Sequence, residues 1–305
     1  MLVLFLFTIK LFNFRLVKRL SKFIIMKTRH HLKNLLIIMS TLLLGFTSCK
    51  KTDAILDEST AETLSVADLE DDNVQAIADQ AYETGNVSLR TSASSETNLI
   101  NGCAIVTRDS SGTTHTLTID FGTGCTGAHG VTRKGKIIVT FTGPYREQGT
   151  VIHTTTDNYY VNNNKVDIDR TATNMGRNAD ENLYFNVSST RTITFADGTT
   201  ISGTATRVRE WIAGENTRDN FDDDVYRVNG TGTFTNRRGI SGSFSTQTTL
   251  IRKVACHQFV EGVVKAVRDD DASKWATIDF GNGNCDDIAV ITLSNGRIFT
   301  KTLRR

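Results

Sequence analysis

The sequence predicts a mainly β protein, built as a large antiparallel meander or sandwich with one short N-terminal helix. From about residue 98 onward, short runs rich in Thr, Val, Ile, Phe and Tyr alternate with Gly and Asn turns. Three dipeptides that favour two-residue hairpins, Asp197-Gly198, Asn229-Gly230 and Asn295-Gly296, occur in this region. No long segment of helical period interrupts it, which argues against a parallel sheet.

The strand patterns are clearest at Lys136–Thr142, Arg191–Phe195 and Gly242–Thr246. A region of about 200 residues can bury a sizeable core as a single domain, so residues 98–305 are predicted to form one antiparallel β domain. The abundance of Thr and Ser predicts sheet faces with one side in water. Pro144 is the only proline, so exposed edges must rely on charges, turns or closure.

Residues 26–48 have the layout of a bacterial signal peptide. A basic stretch with Lys27, Arg29 and Lys33 precedes an apolar stretch from Leu35 to Leu44. About ten apolar residues are too few for a spanning helix, which needs roughly 20.

The segment from Leu42 to Cys49 resembles the lipobox of bacterial lipoproteins. The resemblance implies cleavage between Ser48 and Cys49, diacylglycerol on the Cys49 sulfur and a fatty acyl group such as palmitate on the new amino group. The implied partner is a membrane, and no other cofactor is expected. The residue after the lipidated cysteine is Lys50, where an Asp would favour retention at the inner membrane, so the outer membrane is the expected destination. The sequence does not decide between the periplasmic face and the cell surface. The alternative is an ordinary signal peptide in which Cys49 is incidental.

Residues 1–25 fit this plan poorly and are interpreted as a mis-annotated upstream extension. The alternative is a true first hydrophobic segment, but Lys10, Arg15, Lys18, Arg19 and Lys22 interrupt it. Each such charge at mid-membrane costs about 2.5–3.5 kcal/mol.

The basic character of the chain lies in the part that is expected to be removed. The full chain has 35 Lys+Arg and 33 Asp+Glu, net +2, and residues 1–48 hold eight of the basic residues and no acidic one. The remainder has 27 basic and 33 acidic residues, net −6. Nucleic-acid binding therefore loses its compositional support, and no nucleic-acid partner is expected.

Residues 49–97 are predicted to form a polar tether that contains one helix at about 66–84. Ser65 is a candidate N-cap with Asp68 three residues later, and further acidic residues near that end suit the helix dipole. A narrow apolar stripe includes Leu69 and Ile77, and Gly85 ends the pattern.

An internal repeat flanks the middle of the β domain. Its copies are Thr118–Cys125 and Thr277–Cys285, with six identical positions among the first eight. Each follows an Arg-Asp pair and an earlier cysteine, and each precedes a strand pattern. We interpret this as a duplicated β unit at about 103–142 and 256–303.

The second copy, continued through Cys285-Asp286-Asp287-Ile288-Ala289 and Asn295-Gly296-Arg297, is similar to the C-terminal motif of uncharacterised lipoproteins of Bacteroidetes-type bacteria. The resemblance covers the lipobox and most of the β body. It implies compartment and architecture only, because that group has no activity to carry over.

Four cysteines remain after Cys49 in a compartment that permits disulfides. Of three possible pairings, Cys103–Cys125 and Cys256–Cys285 are favoured, one for each repeat, and each would contribute about 3–4 kcal/mol by the loop-entropy argument. The alternative is four buried thiols. A metal site on these cysteines is not expected, since there is no C-x-x-C motif.

No metal site is predicted, although two acidic regions offer weak candidates for calcium. Asp222 and Asp224 belong to an acidic run, and Asp279 and Asp286 flank the turn of the second repeat. Solvated loop carboxylates are the favoured interpretation, because neither region has EF-hand spacing.

No catalytic constellation is visible, so the protein is not expected to be an enzyme. The histidines His115, His129, His153 and His257 are scattered, and no G-x-S-x-G elbow occurs. The expectation is a lipid-anchored envelope component that binds a ligand or has a structural role. The alternatives are a carbohydrate- or peptide-binding uptake module, an envelope hydrolase, and an adhesin or assembly factor. Candidate sugar-stacking residues are Tyr159, Tyr160, Trp211, Tyr226 and Trp275, although cross-strand packing is the favoured interpretation of Tyr and Trp in strands.

Overall fold

A computed structural model describes residues 50–84, 103–110, 114–127, 130–218 and 220–303, with side chains of the helix described from Ser59 to Glu83. It confirms the predicted fold class: one antiparallel sheet of 14 strands with one α-helix near the N-terminus. Each strand pairs with its neighbours in chain order, apart from the short β3, which pairs only with β4.

The helix, α1, is Lys50–Thr84. A 3-10 turn at Val254–Cys256 precedes β11. The strands are β1 Ile105–Asp109, β2 His115–Asp120, β3 Cys125–Thr126, β4 Thr132–Phe141, β5 Val151–Val161, β6 Asn164–Arg177, β7 Leu183–Thr194, β8 Thr200–Ala213, β9 Val225–Thr235, β10 Ser241–Lys253, β11 Gln258–Arg268, β12 Trp275–Asn282, β13 Ile288–Leu293 and β14 Ile298–Thr302.

Helix α1 is longer than the predicted 66–84 and begins at Lys50. No Gly or Pro occurs between Gly45 and Gly85, so nothing in the sequence breaks the helix in this stretch. Ser65 is therefore not an N-cap; its hydroxyl donates to the Ala61 carbonyl, 2.8 Å away, inside the helix. Most of residues 59–83 are buried, so this part of the helix belongs to the core of the protein rather than to a polar tether.

The sheet curves round α1. Residues 73–78 are all buried, and six consecutive residues cover more than a full helical turn. Strands from both edges of the sheet reach the helix: Arg108 of β1 donates to the Tyr82 carbonyl at 2.8 Å, and Lys301 of β14 lies 3.6 Å from Glu62. The predicted narrow apolar stripe is therefore wrong, because the helix is covered on more than one face.

Buried ion pairs join the polar side of α1 to the inner face of the sheet. Both Arg191 of β7 and Arg207 of β8 contact Asp68 Oδ1, at 2.7 Å and 2.6 Å. Asp71 lies 3.3 Å from Arg170 of β6. All five side chains are at most 6% exposed.

The same pattern continues along the helix. Arg252 of β10 lies 3.3 Å from Asp72, and Arg209 of β8 lies 3.3 Å from Asp79. Burial acts to raise the pKa of Asp71, but the nearby guanidinium groups outweigh it and hold that pKa below its ordinary value. Asp71 is therefore ionised at neutral pH, and the helix is held by charge as well as by apolar contact.

The outer face of the sheet is wet, as the Thr and Ser content predicts. Along β7 the side chains alternate between buried and outward-facing positions. On β7 to β10, twelve outward positions in three cross-strand rows of four all carry hydroxyl side chains: Ser188, Thr206, Thr231 and Ser245; Thr190, Thr204, Thr233 and Ser243; Thr192, Ser202, Thr235 and Ser241.

Two of the three predicted hairpin dipeptides lie in turns. Asp197-Gly198 joins β7 to β8, and Asn295-Gly296 joins β13 to β14. The Asn229-Gly230 prediction is wrong, because both residues lie inside β9. A Cβ on Gly230 would come within 2.3 Å of the Thr206 carbonyl oxygen and 2.7 Å of Arg207 Cγ. Glycine is needed there for close packing rather than for a turn.

The two repeats form matching corners near the two ends of the strand order. In the first repeat, Asp120 at the end of β2 accepts from the Gly122 amide at 2.8 Å; in the second, Asp279 accepts from the Gly281 amide at 2.9 Å within β12. The disulfides Cys103–Cys125 and Cys256–Cys285 are the favoured pairing, with sequence separations of 22 and 29. Each repeat therefore has one disulfide next to its Asp–Gly hydrogen bond.

Replacing Asp68 by Ala should destabilise the protein by about 3–5 kcal/mol, because two buried guanidinium groups would lose their shared partner. Urea unfolding measures this loss. The matched control is Asp167→Ala, which removes a surface pair with Lys165 whose side chains are 42% and 36% exposed, and should cost under about 1 kcal/mol. Equal effects of the two substitutions would show that the buried pair does not hold the helix.

Candidate ligand-binding groove

A cavity of about 340 Å³ lies between α1 and the last strands of the sheet. This volume is at the lower end of the range for small-molecule sites, about 300–1,000 Å³. We call it the helix–sheet groove. Its lining residues are Glu62, Ser65, Val66, Asp68, Leu69 and Asp72 of α1, together with Gln258, Phe259, Phe280, Lys301, Thr302 and Leu303.

The walls of the groove are mainly apolar. Val66 and Leu69 of α1 face it from the helix and are only partly covered. Phe259 of β11 and Phe280 of β12 form the opposite side, with ring centroids 5.4 Å apart and the planes tilted by 57°. Leu303, directly after β14, adds a further aliphatic side chain. Burying this apolar surface under an apolar ligand would be favourable, because it removes the surface from water.

The polar side chains of the groove already have partners. Gln258 donates to Asp287 at 2.8 Å, and Ser65 is bonded to its own helix. Asp68 is held by Arg191 and Arg207. These groups therefore offer little to a polar ligand unless an existing contact breaks.

Two acidic side chains of the groove are less firmly held. Burial raises the pKa of Asp72, and Arg252 compensates only in part. Glu62 is about half exposed, and its carboxylate is 3.6 Å from Lys301, whose side chain is 27% exposed. The Glu62–Lys301 contact is the loosest ion pair that borders the groove.

A second cluster of titratable groups lies at the C-terminal end of α1. Asp224, which precedes β9, accepts from the Trp211 indole at 3.1 Å and from the Tyr226 hydroxyl at 3.5 Å. Burial, together with the neighbouring Asp79, raises the pKa of Asp224 to about 7. The cavity beside this cluster is only about 10 Å³, room for about one water molecule.

A third cavity, of about 210 Å³, is bordered by Tyr82, Arg108, His115 and Phe141. The helix–sheet groove is larger and is the stronger candidate.

The predicted lipidation and cleavage residues, Ser48 and Cys49, lie outside the described residues. Among the described residues, no group of three His, Cys, Asp or Glu side chains is close enough to hold a metal ion. No helix in the described part of the chain is long and apolar enough to cross a membrane.

The weak metal candidates have local structural roles. Asp279 and Asp286 accept from backbone amides two residues further on, those of Gly281 and Ile288. Asp224 is buried under Trp211 and Tyr226, whereas Asp222 is exposed. Asp224, Asp279 and Asp286 therefore each accept hydrogen bonds within the fold.

The predicted aromatic candidates do not form an exposed platform. Tyr159, Trp211 and Tyr226 are buried, and Trp211 and Tyr226 are cross-strand partners in β8 and β9. Lys134 covers the Tyr160 ring at 4.1 Å, and Lys265 lies 5.0 Å from the Trp275 ring. Cross-strand packing and cation–π contacts explain these residues.

The groove was not predicted from the sequence: Ser65, Asp68 and Leu69 were predicted only as parts of the helix, and Phe280 only as part of the second repeat. Phe259 and Lys301 sit in strand patterns like many others, and nothing local marks them as neighbours of Leu69. One available signal was overlooked: Arg191, Arg207 and Arg252 alternate with apolar residues, at inward positions of their strands. That pattern predicts buried acidic partners.

No protein-family model, no curated protein and no solved structure matches this chain.

Replacing Asp224 by Asn should flatten the pH dependence of stability. The carboxyl has a pKa of about 7 in the folded chain and 3.8 as its ordinary value, so its stabilising protonation is complete below about pH 4 and lost as pH rises through 7. The wild type should lose about 1–2 kcal/mol relative to Asp224→Asn between pH 5 and 8, less than the full difference in pKa implies because water reaches the edge of the cluster.

Thermal unfolding at several pH values measures this difference. Asp222→Asn, at the exposed position two residues earlier, is the control and should keep the pH dependence of the wild type. Parallel curves for the wild type and Asp224→Asn would contradict the assignment.

Proposed function

We propose that this protein is a lipid-anchored component of the cell envelope that binds a small apolar molecule in the helix–sheet groove. The observation that carries the proposal is the groove itself, about 340 Å³ in volume and walled by Val66, Leu69, Phe259 and Phe280. Cavities of this size with apolar walls and few polar groups are the usual form of small-molecule sites.

The contents of the groove favour binding over catalysis. Among the described residues that line it, none is a His or a Cys. Asp68 and Gln258 are engaged by neighbouring side chains. Acid–base chemistry needs a titratable group within reach of the substrate and free to exchange a proton, and Asp72, tied to Arg252, is the nearest to one. A carbohydrate ligand is less well supported, because Tyr159, Trp211 and Tyr226 are buried and lysine side chains lie over the rings of Tyr160 and Trp275.

The lipid anchor is proposed from the sequence, on the lipobox that ends at Cys49. The outer membrane is the proposed location. An anchored binding protein suits the large, hydroxyl-rich outer face, which exposes polar groups to water along several strands.

Photo-cross-linking with a neutral aliphatic alcohol that carries a diazirine tests the binding site in membranes containing the full chain. Cross-links should fall on residues 62–72 and on β14. Leu69→Trp, which places a large ring in the groove, should reduce this labelling by about tenfold. Val208→Trp, at an outer position that is 44% exposed, is the matched control and should label like the wild type. Equal labelling of both variants would refute the site.

Replacing Cys49 by Ser should abolish incorporation of labelled palmitate and leave the signal segment uncleaved, because the thiol is the proposed site of lipid attachment. Mass spectrometry of the N-terminal peptide reads out both effects. Ser48→Ala keeps a small residue before the cleavage point and should still be acylated. Normal acylation of Cys49→Ser would rule out the anchor while leaving the groove unaffected.

A further inference from the structure

We infer that the ligand of the helix–sheet groove is a free aliphatic carboxylic acid, with its carboxylate on Lys301 and its tail along Val66, Leu69 and Phe280. The inference rests on the proposed function, since it specifies the ligand of the same groove.

The position of Lys301 is the first argument. It lies on β14, an edge strand, and its side chain turns inward to the groove, where its ammonium group is 3.6 Å from Glu62. It is the only cationic side chain among the described residues that line the groove. An acidic head group entering the groove therefore has one counterion available.

The two members of the Glu62–Lys301 pair differ in their exposure to water. Lys301 is 27% exposed and Glu62 is 48% exposed. A ligand carboxylate can replace Glu62 on Lys301, because Glu62 can then turn outward into water. A ligand amine on Glu62 would leave Lys301 beside apolar walls without its partner, which is unfavourable. The pair thus favours an anionic head group.

The remaining polar groups determine the direction of the ligand. Asp72 marks the other end of the groove on the helix, ten residues from Glu62 and thus about 15 Å along the axis. A ligand carboxylate at that end would meet the Asp72 carboxyl, with Asp68 one helical turn away. The head group is therefore placed at Lys301, and the tail covers the aliphatic and aromatic side chains between the two ends.

Competition for the photoreactive alcohol tests the inference with the full chain in its membranes. The competitors are decanoic acid, decanol and decylamine, which share one tail length and differ in the head group. The acid should compete about five- to tenfold better than the alcohol, the range expected for a partly shielded ion pair. The amine should be the weakest competitor.

Variants assign the preference to particular residues. Lys301→Met keeps an unbranched apolar stem and removes the charge, so the acid and the alcohol should compete equally. Lys301→Arg should retain the preference. Glu62→Gln removes the carboxylate that competes for Lys301, so decanoic acid should compete even better relative to decanol than it does with the wild type. Equal labelling of Lys301→Met and wild type by the neutral alcohol confirms that the groove is intact in the variant.

The outcomes separate the two proposals. If the alcohol labels the groove but the acid has no advantage, or if Lys301→Met keeps that advantage, the inference on the acid is overturned and the binding proposal stands. A preference for the amine also overturns it. If no aliphatic probe labels the groove, both proposals fail. If vesicles of phosphatidylglycerol compete as well as decanoic acid, the ligand is a phospholipid, and the inference of a free carboxylic acid is overturned.

An inward lysine on an edge strand also protects a sheet from pairing with another sheet. If that were the whole role of Lys301, Lys301→Met would raise light scattering and leave the acid-to-alcohol ratio unchanged. That result would overturn the inference. A changed ratio supports it, because edge protection alone does not affect the choice between two ligands with the same tail.

Discussion

The rest of the structure depends on the buried ion pairs between the carboxylates of α1 and the arginines of the sheet. Asp68 meets the guanidinium groups of Arg191 and Arg207, and all three side chains are almost fully buried. Such pairs add little net stability over apolar packing, but removing one partner is costly. Their effect is therefore to fix the position of the helix. A rotation or a shift by one turn would leave several buried charges unpaired.

That constraint also explains where the groove lies. From Asp68 to Asp79 the helix is tied to β6, β7, β8 and β10 by charged contacts. Toward Glu62 the nearest strand is β14, which has five residues and contributes the single cation Lys301. The helix is thus held closely by the middle of the sheet and loosely by its last strand. Val66, Leu69 and Leu303 remain partly uncovered there, and together with the buried rings of Phe259 and Phe280 they form the apolar walls of the groove.

The fold class could be predicted from the sequence, whereas the groove could not. Alternating Thr and apolar residues, with turn dipeptides such as Asp197-Gly198, specify an antiparallel meander through local chemistry. The repeated corner and its cysteines were visible for the same reason. The length of α1 was underestimated, since its acidic residues were interpreted as favouring a helix end. Asp68 and Asp72 instead meet arginines more than a hundred residues away, and no local pattern sets those distances.

The network also bears on the choice between binding and reaction. Hydrolysis of a glycoside, for example, uses two carboxyl groups that flank the bond to be broken. In the groove the two inner carboxylates, Asp68 and Asp72, are both directed to arginines of the sheet. Freeing either would unpair a buried charge that holds the helix. The same contacts that position α1 therefore withdraw its acidic groups from chemistry. Ligand selectivity would then depend on the apolar walls and on the Glu62–Lys301 ion pair, which can open without disturbing the core.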